Sequence, residues 1–334
     1  MKLLGICALA FGMAAGPGWA AKNLEVFFID VEGGAATLVA GPGGESLLID
    51  AGFSGHNHRD AERIAAAAKA AGVKKIDYLL ITHYHEDHAG GVPQLMEKLP
   101  VHTFVDHGVS VETSKPAEVL YRTYEGYRQK GSHLEVKPGD RIPVKGLDVQ
   151  VVSSAGNSIG TALPPGGQPN PDCASFQKQD DEKNENAQSI GVVITYNKFR
   201  MVDLGDLTWN KEYDLVCPTN KLGTADVYVV SHHGAATSGS PQLVHAIHPR
   251  VAIMENGARK GGAPAAWQTV HDSPGLQDFW QLHFAVDGGK QHNSADQLIA
   301  NVDEICEAKW IKLTVRPDGS FTVFNSRNKF ERQY

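Results

Sequence analysis

Residues 82–91 read THYHEDHAGG, and this stretch decides the fold and the chemistry that the chain can support. Four metal-ligand side chains fall within six positions: His83, His85, Asp87 and His88. The apolar residues just before them predict a buried strand, and side chains alternate faces along a strand. His83 and His85 are therefore expected to point the same way. Imidazole nitrogens that converge with a carboxylate are typical ligands of zinc or a similar first-row cation.

The first twenty residues differ from the rest of the chain. Lys2 is followed by an apolar run and then by small residues up to Ala20, which predicts a secretory signal peptide over residues 1–20 that is cut after Ala20. The run is short for a membrane span, so no stable membrane insertion is expected once the signal is removed. The mature protein is therefore predicted to be periplasmic or secreted.

Composition and cysteine count narrow the classes of protein further. The chain has 334 residues, of which 42% are hydrophobic, which is typical of a globular protein with a substantial core. Its formal net charge of −7 gives it no overall basic field for attracting a polyanion. Cys173, Cys217 and Cys306 remain after the signal peptide, and this odd number allows at most one internal disulfide.

The pattern over residues 21–334 predicts a single α/β domain of αββα type. Apolar strands end repeatedly in polar residues: at Asp50, at the His83 cluster, at Asp206 and at His232–His233. An active site is expected where such strand ends meet. Two segments interrupt the pattern. Residues 109–132 predict a helical insertion, and residues 154–187 predict a flexible loop that covers the site.

These motifs, in this order, resemble the metallo-β-lactamase superfamily. They are LIDAG at 48–52, THYHEDHAGG at 82–91, LGD at 204–206 and SHHG at 231–234, and HxHxDH is the most specific of them. The second half is similar to the metallo-β-lactamase-like domain of ComEC-type competence proteins, a branch that resembles nucleases and phosphodiesterases. The matching stretches there are QSIGVVI at 188–194, FRMVDLGD at 199–206 and ADVYVVSHHG at 225–234.

The resemblance implies two neighbouring metal sites. The expected ligands are His83 and His85 for the first metal, Asp87 and His88 for the second, Asp206 as a bridge, and either His232 or His233 to complete the second site. Asp50 is expected to lie behind the ligands and orient one histidine. Zn²⁺ is the expected metal.

One departure from the superfamily pattern affects the first site. Many members have a further histidine just before the strand that starts here near Gln188, but this chain has Asn186, Ala187 and Gln188 instead. An amide oxygen of Asn186 or Gln188, or the imidazole of His107 at the end of a neighbouring strand, would be a substitute ligand. More oxygen ligands make Mn²⁺ an alternative to Zn²⁺.

The predicted function is a secreted metal-dependent hydrolase that acts on phosphodiesters, either small molecules or nucleic acids, through water activated by the metals. Asp87 would orient that water, and the non-ligand histidine of the pair 232–233 would assist the leaving group. Arg259 and Lys260 are candidate phosphate contacts, or simply a solvated pair on a loop. The alternatives are a β-lactam or lactone hydrolase and a non-catalytic binding module. No protein partner is predicted.

Overall fold

The computed structural model describes residues 22–334 and confirms the predicted αββα architecture: two nine-stranded sheets pack face to face, and helices cover their outer faces. The predicted signal peptide, residues 1–20, lies outside the described residues. Within residues 22–334, no helix combines the length and the apolar character needed to cross a membrane.

The first sheet has the strand order β20-β19-β18-β1-β2-β3-β4-β5-β6. Strands β3 to β6 are parallel to one another, and the other neighbours are antiparallel. The strands are β1 (Leu24–Phe28), β2 (Thr37–Ala40), β3 (Ser46–Ile49), β4 (Ile76–Leu80), β5 (Val101–Asp106), β6 (Ser132–Glu135), β18 (Ile311–Val315), β19 (Phe321–Asn325) and β20 (Glu331–Gln333).

The second sheet has the order β17-β16-β15-β14-β12-β11-β8-β7, with β9 paired to β8, and its half from β12 to β17 is parallel. Its strands are β7 (Arg141–Ile142), β8 (Asp148–Ser154), β9 (Asn157–Ser158), β11 (Gly191–Tyr196), β12 (Phe199–Asp203), β14 (Val227–Val229), β15 (Val251–Met254), β16 (Asp278–His283) and β17 (Ile299–Asn301). A separate two-stranded ribbon joins β10 (Gln168–Pro169) to β13 (Thr219–Asn220).

Residues 22–334 contain seven α-helices, which form the outer layers and one short turn of the site. They are α1 (Arg59–Ala70), α2 (Glu86–Ala89), α3 (Val92–Lys98), α4 (Lys115–Arg128), α5 (Trp209–Val216), α6 (Pro241–Ile247) and α7 (Pro264–His271). Residues of α1, α3 and α4 share a core with the first sheet, and residues of α5, α6 and α7 share a core with the second.

Alternation of side chains along the strands produces the layers. In β1, Val26 and Phe28 face the core between the sheets, whereas Phe27 faces the helices. In β11, Val192 and Ile194 face the second sheet's inner core, and Val193 faces the helices on its outer side. A buried side chain of this size contributes about 1.5–3 kcal/mol, so both faces of each sheet stabilise the fold.

The two segments predicted to interrupt the domain have defined positions. The segment 109–132 contains α4, which links the parallel strands β5 and β6 and packs on the first sheet through Tyr121 and Tyr124. The segment 154–187 contains β9, β10 and two 3₁₀ turns, and its Cys173 forms a disulfide with Cys217. Cys306 is the free cysteine of the described part of the chain.

The parallel halves of the two sheets bring the polar strand ends together. Asp50 follows β3, His83 lies just beyond β4, Asp206 follows β12, and His232–His233 follow β14. Neighbouring parallel strands end at the same edge of a sheet. The polar residues that follow β3 and β4 in the first sheet and β12 and β14 in the second therefore lie on one side of the sandwich, as the sequence predicts.

Candidate metal centre

Tight backbone turns direct several of these side chains. Asp50 has a φ of 61°, and His232 and His233 have φ values of 53° and 54°. The left-handed region costs a non-glycine residue about 1–3 kcal/mol and is found mainly where function requires it. The SHHG turn therefore leaves β14 sharply, and its two imidazoles diverge by 69° between ring planes.

Four side chains converge at the centre of this edge: Asp87, His88, Asp206 and His233. Five separations between their ligand atoms lie between 3.1 and 3.5 Å, including 3.2 Å between the Nε2 atoms of the two histidines. In a tetrahedral zinc site with bonds of about 2.0–2.1 Å, ligand atoms are about 3.3 Å apart. The spacing and the donor types therefore fit one tetrahedral zinc ion.

A second group of donors adjoins the first through Asp206. The Nε2 of His83 lies 3.0 Å from Nδ1 of His85 and 3.9 Å from Oδ2 of Asp206. The same Oδ2 lies 3.3 Å from Nε2 of His88. Asp206 thus lies between the two groups of donors, as a bridging carboxylate would, and the His83–His85 pair is the candidate first site.

Each ligand histidine is held from behind by a hydrogen-bond acceptor. The outer nitrogens lie 3.1 Å from Thr82 Oγ1 for His83, 3.0 Å from Glu112 Oε1 for His85, 2.7 Å from Asp50 Oδ2 for His88, and 3.1 Å from the Glu255 carbonyl for His233. Because Thr82 donates its own hydroxyl proton to Asp50, it is free to accept from His83. Each inner nitrogen is therefore the one whose lone pair can bind a metal.

The two histidines of the SHHG turn have different surroundings. His233 is buried and belongs to the convergent group, whereas the side chain of His232 is 21% exposed. The Nε2 of His232 lies 3.4 Å from Asp206 Oδ2, and its Nδ1 lies within 3.2 Å of the hydroxyls of Thr237 and Ser238. His233 is thus the metal-ligand candidate, and His232 faces the open side of the centre.

Opposite charges dominate the electrostatics of the second site. Burial lowers the pKa of His88, but the carboxylates of Asp206, Asp87 and Asp50 outweigh it and raise that pKa well above its usual value. Burial also lowers the pKa of His233, but Asp206 and Asp87 outweigh it and raise that pKa to about 9. A metal ion must displace these protons, so its affinity falls as the pH is lowered.

The two basic residues of the glycine-rich loop separate. Lys260 reaches into the centre, where its Nζ contacts Oδ2 of Asp87 and lies 5.1 Å from the centroid of the Phe53 ring. Arg259 points outward and makes an exposed, bidentate ion pair with Glu304. The structure therefore places Lys260, but not Arg259, beside the predicted metal ligands.

Of the predicted substitute ligands, His107 belongs to neither of the convergent groups of His, Cys, Asp and Glu found in residues 22–334. Nε2 of His107 lies 2.9 Å from the carboxylate of Glu185, and Gln188 donates to the carbonyl of Asn184. The buried Oδ1 of Asn186 has no hydrogen-bond partner in the described part of the chain. The first site thus rests on His83, His85 and Asp206.

Comparison with known proteins agrees with this geometry. A family profile described as "Metallo-beta-lactamase superfamily" matches residues 29–182. The chain carries a metallo-beta-lactamase superfamily domain. Members of this superfamily are generally metal-dependent hydrolases, and the enzyme prediction is confirmed.

Three curated relatives show the range of the superfamily that this chain resembles. ComE operon protein 3 of Bacillus subtilis is 26% identical over 249 residues, which are 70% of this chain and 28% of that protein. Recombination protein 2 of Haemophilus influenzae is 26% identical over 256 residues, covering 76% and 26%. Hydroxyacylglutathione hydrolase of Klebsiella pneumoniae is 35% identical over 82 residues, covering 25% and 26%.

The predicted similarity to the ComEC-like branch is confirmed by the first two relatives. The matched segments span only about a quarter of the length of each of the three. The superfamily domain is thus common to them, while the remaining parts of those proteins have no counterpart in the matched region.

Three carboxyl groups of this metallo-beta-lactamase centre were not predicted. Glu112 and Glu185 lie in irregular segments, far from the motif along the chain, and no sequence signal indicates them. Glu255 follows the buried strand β15, so the rule that selected Asp50 and Asp206 would have found it. Burial, together with the nearby Asp203 carboxyl, raises the pKa of Glu255 to about 8.

A second cluster of ligand-type residues in the superfamily domain has different geometry. Asp30, Glu32, His283 and Cys306 converge, but the contacts of Asp30 with His283 and of Cys306 with both carboxylates measure 2.7–2.9 Å. The contact between Asp30 and His283 has a hydrogen-bond length, and the two sulfur–oxygen contacts are shorter than the roughly 3.5 Å that separates sulfur and oxygen ligands of one tetrahedral zinc ion. Arg63 also donates to Asp30 and Glu32. This cluster is a hydrogen-bonded network that already holds a cationic side chain.

The divergent roles of the two histidines predict different effects of their removal on metal binding. His233→Ala is expected to lower the affinity of the tighter metal site by at least about 100-fold, since it removes a ligand. His232→Ala is expected to change that affinity less than about threefold. Competition titration against a chromogenic chelator measures both. The reverse order of effects would exchange the two assignments.

The buried Glu255 carboxyl predicts a pH-dependent stability. Its folded pKa of about 8 lies above the ordinary value of 4.5, so its contribution is present below pH 4.5 and is lost as the pH rises towards 8. Glu255→Gln keeps an acceptor for the Thr37 hydroxyl but cannot ionise. Between pH 5 and pH 8, we expect the free energy of unfolding of the metal-free variant to rise by more than about 1 kcal/mol relative to that of metal-free wild type.

Urea unfolding of the metal-free proteins at the two pH values measures this difference. Glu118→Gln, at an exposed position of α4, is the matched control and should show no change relative to wild type. A difference between Glu255→Gln and wild type that is the same at both pH values would show that Glu255 does not titrate in this range.

Proposed function

We propose that this superfamily domain is an exported phosphodiesterase that uses two divalent metal ions, with Zn²⁺ as the preferred metal and Mn²⁺ as the alternative. The observation that carries the substrate class is the Lys260 ammonium group beside Asp87 at the metal centre. A fixed cation next to a metal pair suits a substrate that brings its own negative charge, as a phosphodiester does.

The composition of the first site supports the same proposal. It offers His83, His85 and the Asp206 carboxylate, and the position of a third histidine is taken by Asn186-Ala187-Gln188. A site in which imidazole makes up a smaller share of the ligands accepts Mn²⁺ as well as Zn²⁺, and either cation can bind phosphate oxygens. The similarity to ComE operon protein 3 and to a recombination protein over about 250 residues further supports nucleic acid as one form of the substrate.

The side chains of the centre divide the work as follows. When bound, the metal pair would lower the pKa of water towards neutrality and neutralise charge on the substrate. Asp206 and Asp87 would hold the metals through their carboxylates, and they provide acceptors for the attacking water. His232, on the open side, can accept a hydrogen bond at Nδ1 from the hydroxyl of Thr237 or Ser238, so that Nε2 carries the proton and can donate it to the leaving oxygen. Lys260 would bind a non-bridging phosphate oxygen.

A second candidate function is hydrolysis of an acyl substrate, which includes the β-lactam and lactone alternatives. The observation that favours it is the 35% identity to hydroxyacylglutathione hydrolase over 82 residues. That match covers 25% of this chain, against 70% for ComE operon protein 3, so it supports this function less. Such a substrate needs no cation at the position of Lys260.

A substrate panel separates the two functions. We expect turnover of bis-p-nitrophenyl phosphate or single-stranded DNA, and little turnover of nitrocefin, an acyl-homoserine lactone or an acylglutathione thioester. Lys260→Ala should lower kcat/KM for the phosphodiester about 10- to 100-fold, the loss expected for one charge-assisted hydrogen bond. Arg259→Ala, its exposed neighbour, is the matched control and should match wild type.

Either of two results would contradict the phosphodiesterase proposal. One is turnover confined to the acyl substrates. The other is equal phosphodiester rates for Lys260→Ala, Arg259→Ala and wild type, because the lysine would then not bind the substrate anion. Loss of all activity on addition of a chelator, with recovery on adding Zn²⁺ or Mn²⁺, is expected for both functions and identifies the metal.

We also propose export, with cleavage of the signal peptide after Ala20. The disulfide between Cys173 and Cys217 supports this, because such bonds persist in oxidising compartments. Expression of the full chain in a bacterium with a periplasm should yield protein in the periplasmic fraction that begins at Ala21. N-terminal sequencing of that fraction makes the test, and an intact Met1 in the cytoplasmic fraction would contradict it.

A further inference from the structure

The loop of residues 107–112 is fastened to the metal centre by the buried carboxylate of Glu185. Glu185 accepts hydrogen bonds from the backbone N–H of Tyr84 (3.1 Å) and of Val111 (2.7 Å), from the hydroxyl of Ser110 (2.9 Å) and from Nε2 of His107 (2.9 Å). Three of these donors lie on the loop itself, and Tyr84 lies between the two histidines of the first site. Glu185 therefore fixes the loop relative to that site.

The loop presents Glu112 to His85. Oε1 of Glu112 lies 3.0 Å from Nε2 of His85 and also accepts the backbone N–H of Glu185 at 3.3 Å. The opposite ring atom, Nδ1 of His85, lies 3.0 Å from Nε2 of His83. A carboxylate accepts but does not donate, so Glu112 holds the proton of His85 on Nε2 and leaves the Nδ1 lone pair directed into the site.

The contact between Glu112 and His85 matters more for the first site than the contact between Asp50 and His88 does for the second. His88 and Asp50 make the same kind of pair at 2.7 Å, but His88 is buried and has several ligand neighbours. His85 is 28% exposed on its side chain and is one of only two histidines at the first site. A ring that is free to turn would cost this site a large share of its donors.

We propose that Glu112 is the positioning residue of the first metal site: it holds His85 with Nδ1 towards the metal, and the buried Glu185 holds the loop that carries it. The proposal rests on the two-metal centre of the proposed function. It also gives a physical account of how a site without the third histidine keeps two well-oriented imidazoles. The Glu185 anchor comes from the segment directly before the position where that histidine is missing.

The test is titration of the metal-free protein with Zn²⁺ in competition with a chromogenic chelator, which resolves a tighter and a weaker site. We expect the weaker site to be the first one, which contains His85. Glu112→Ala should lower its metal affinity about 10- to 100-fold, the usual effect of losing a partner behind a ligand histidine. Glu112→Gln keeps an acceptor oxygen and should weaken it less. Glu118→Gln, at an exposed position on α4, makes the same change of charge and should match wild type at both sites.

Two further measurements separate positioning from a general effect on folding. The melting temperature of the metal-free variants should stay within about 2 °C of wild type, since Glu112 is partly exposed. With Co²⁺ in place of Zn²⁺, the visible absorption of the weaker site should change in Glu112→Ala, while that of the tighter site stays as in wild type. His233→Ala should produce the opposite pattern, because His233 belongs to the second site.

Several outcomes would overturn the proposal. They are unchanged affinity of the weaker site in Glu112→Ala, equal weakening of both sites, a fall in the melting temperature that accounts for the loss, or a wild-type protein that binds a single metal ion. These results do not depend on any substrate. If the weaker site responds as expected but the protein hydrolyses no phosphodiester, the proposed substrate fails and the role of Glu112 stands.

Discussion

The centre depends on one carboxylate oxygen. Oδ2 of Asp206 has imidazole nitrogens of four histidines around it, at 3.3 Å from His88, 3.4 Å from His232, 3.5 Å from His233 and 3.9 Å from His83. His83 and His88 come from the first sheet, and Asp206 comes from the second. A buried carboxylate is costly unless positive charge surrounds it. The two halves of the sandwich therefore meet around this buried carboxylate, whose negative charge protons or metal ions must balance.

Much of this could be predicted from the sequence because periodic strands end at defined points. The runs before Asp50, His83 and Asp206 alternate between two buried faces, and parallel pairing places their ends at one edge. The choice between His232 and His233 could not be made, because two consecutive left-handed residues set the directions of those rings. No periodic pattern encodes such a turn.

Contacts between irregular segments were beyond prediction for a similar reason. Glu185 and Tyr84 are 101 positions apart, and neither helix nor strand spacing relates them. Arg259 and Lys260 looked equivalent as neighbours on one loop, yet only Lys260 enters the centre. Although the chain has a net charge of −7, it places the ammonium group of Lys260 where the proposed anionic substrate would bind. Overall charge describes the long-range field, and one local cation can oppose it at short range.

The pairing of β1 with β18 has a consequence for how the molecule is made. All of the predicted metal ligands lie between residues 83 and 233, but the three strands of the first sheet that lie beyond β1, namely β18 to β20, come from residues 311–333. Until those residues are available, β1 presents an open row of backbone donors and acceptors next to a largely assembled site. Its sequence separation from β18 makes closure a late and slow step. Folding of the chain should therefore depend on how quickly this strand edge is covered.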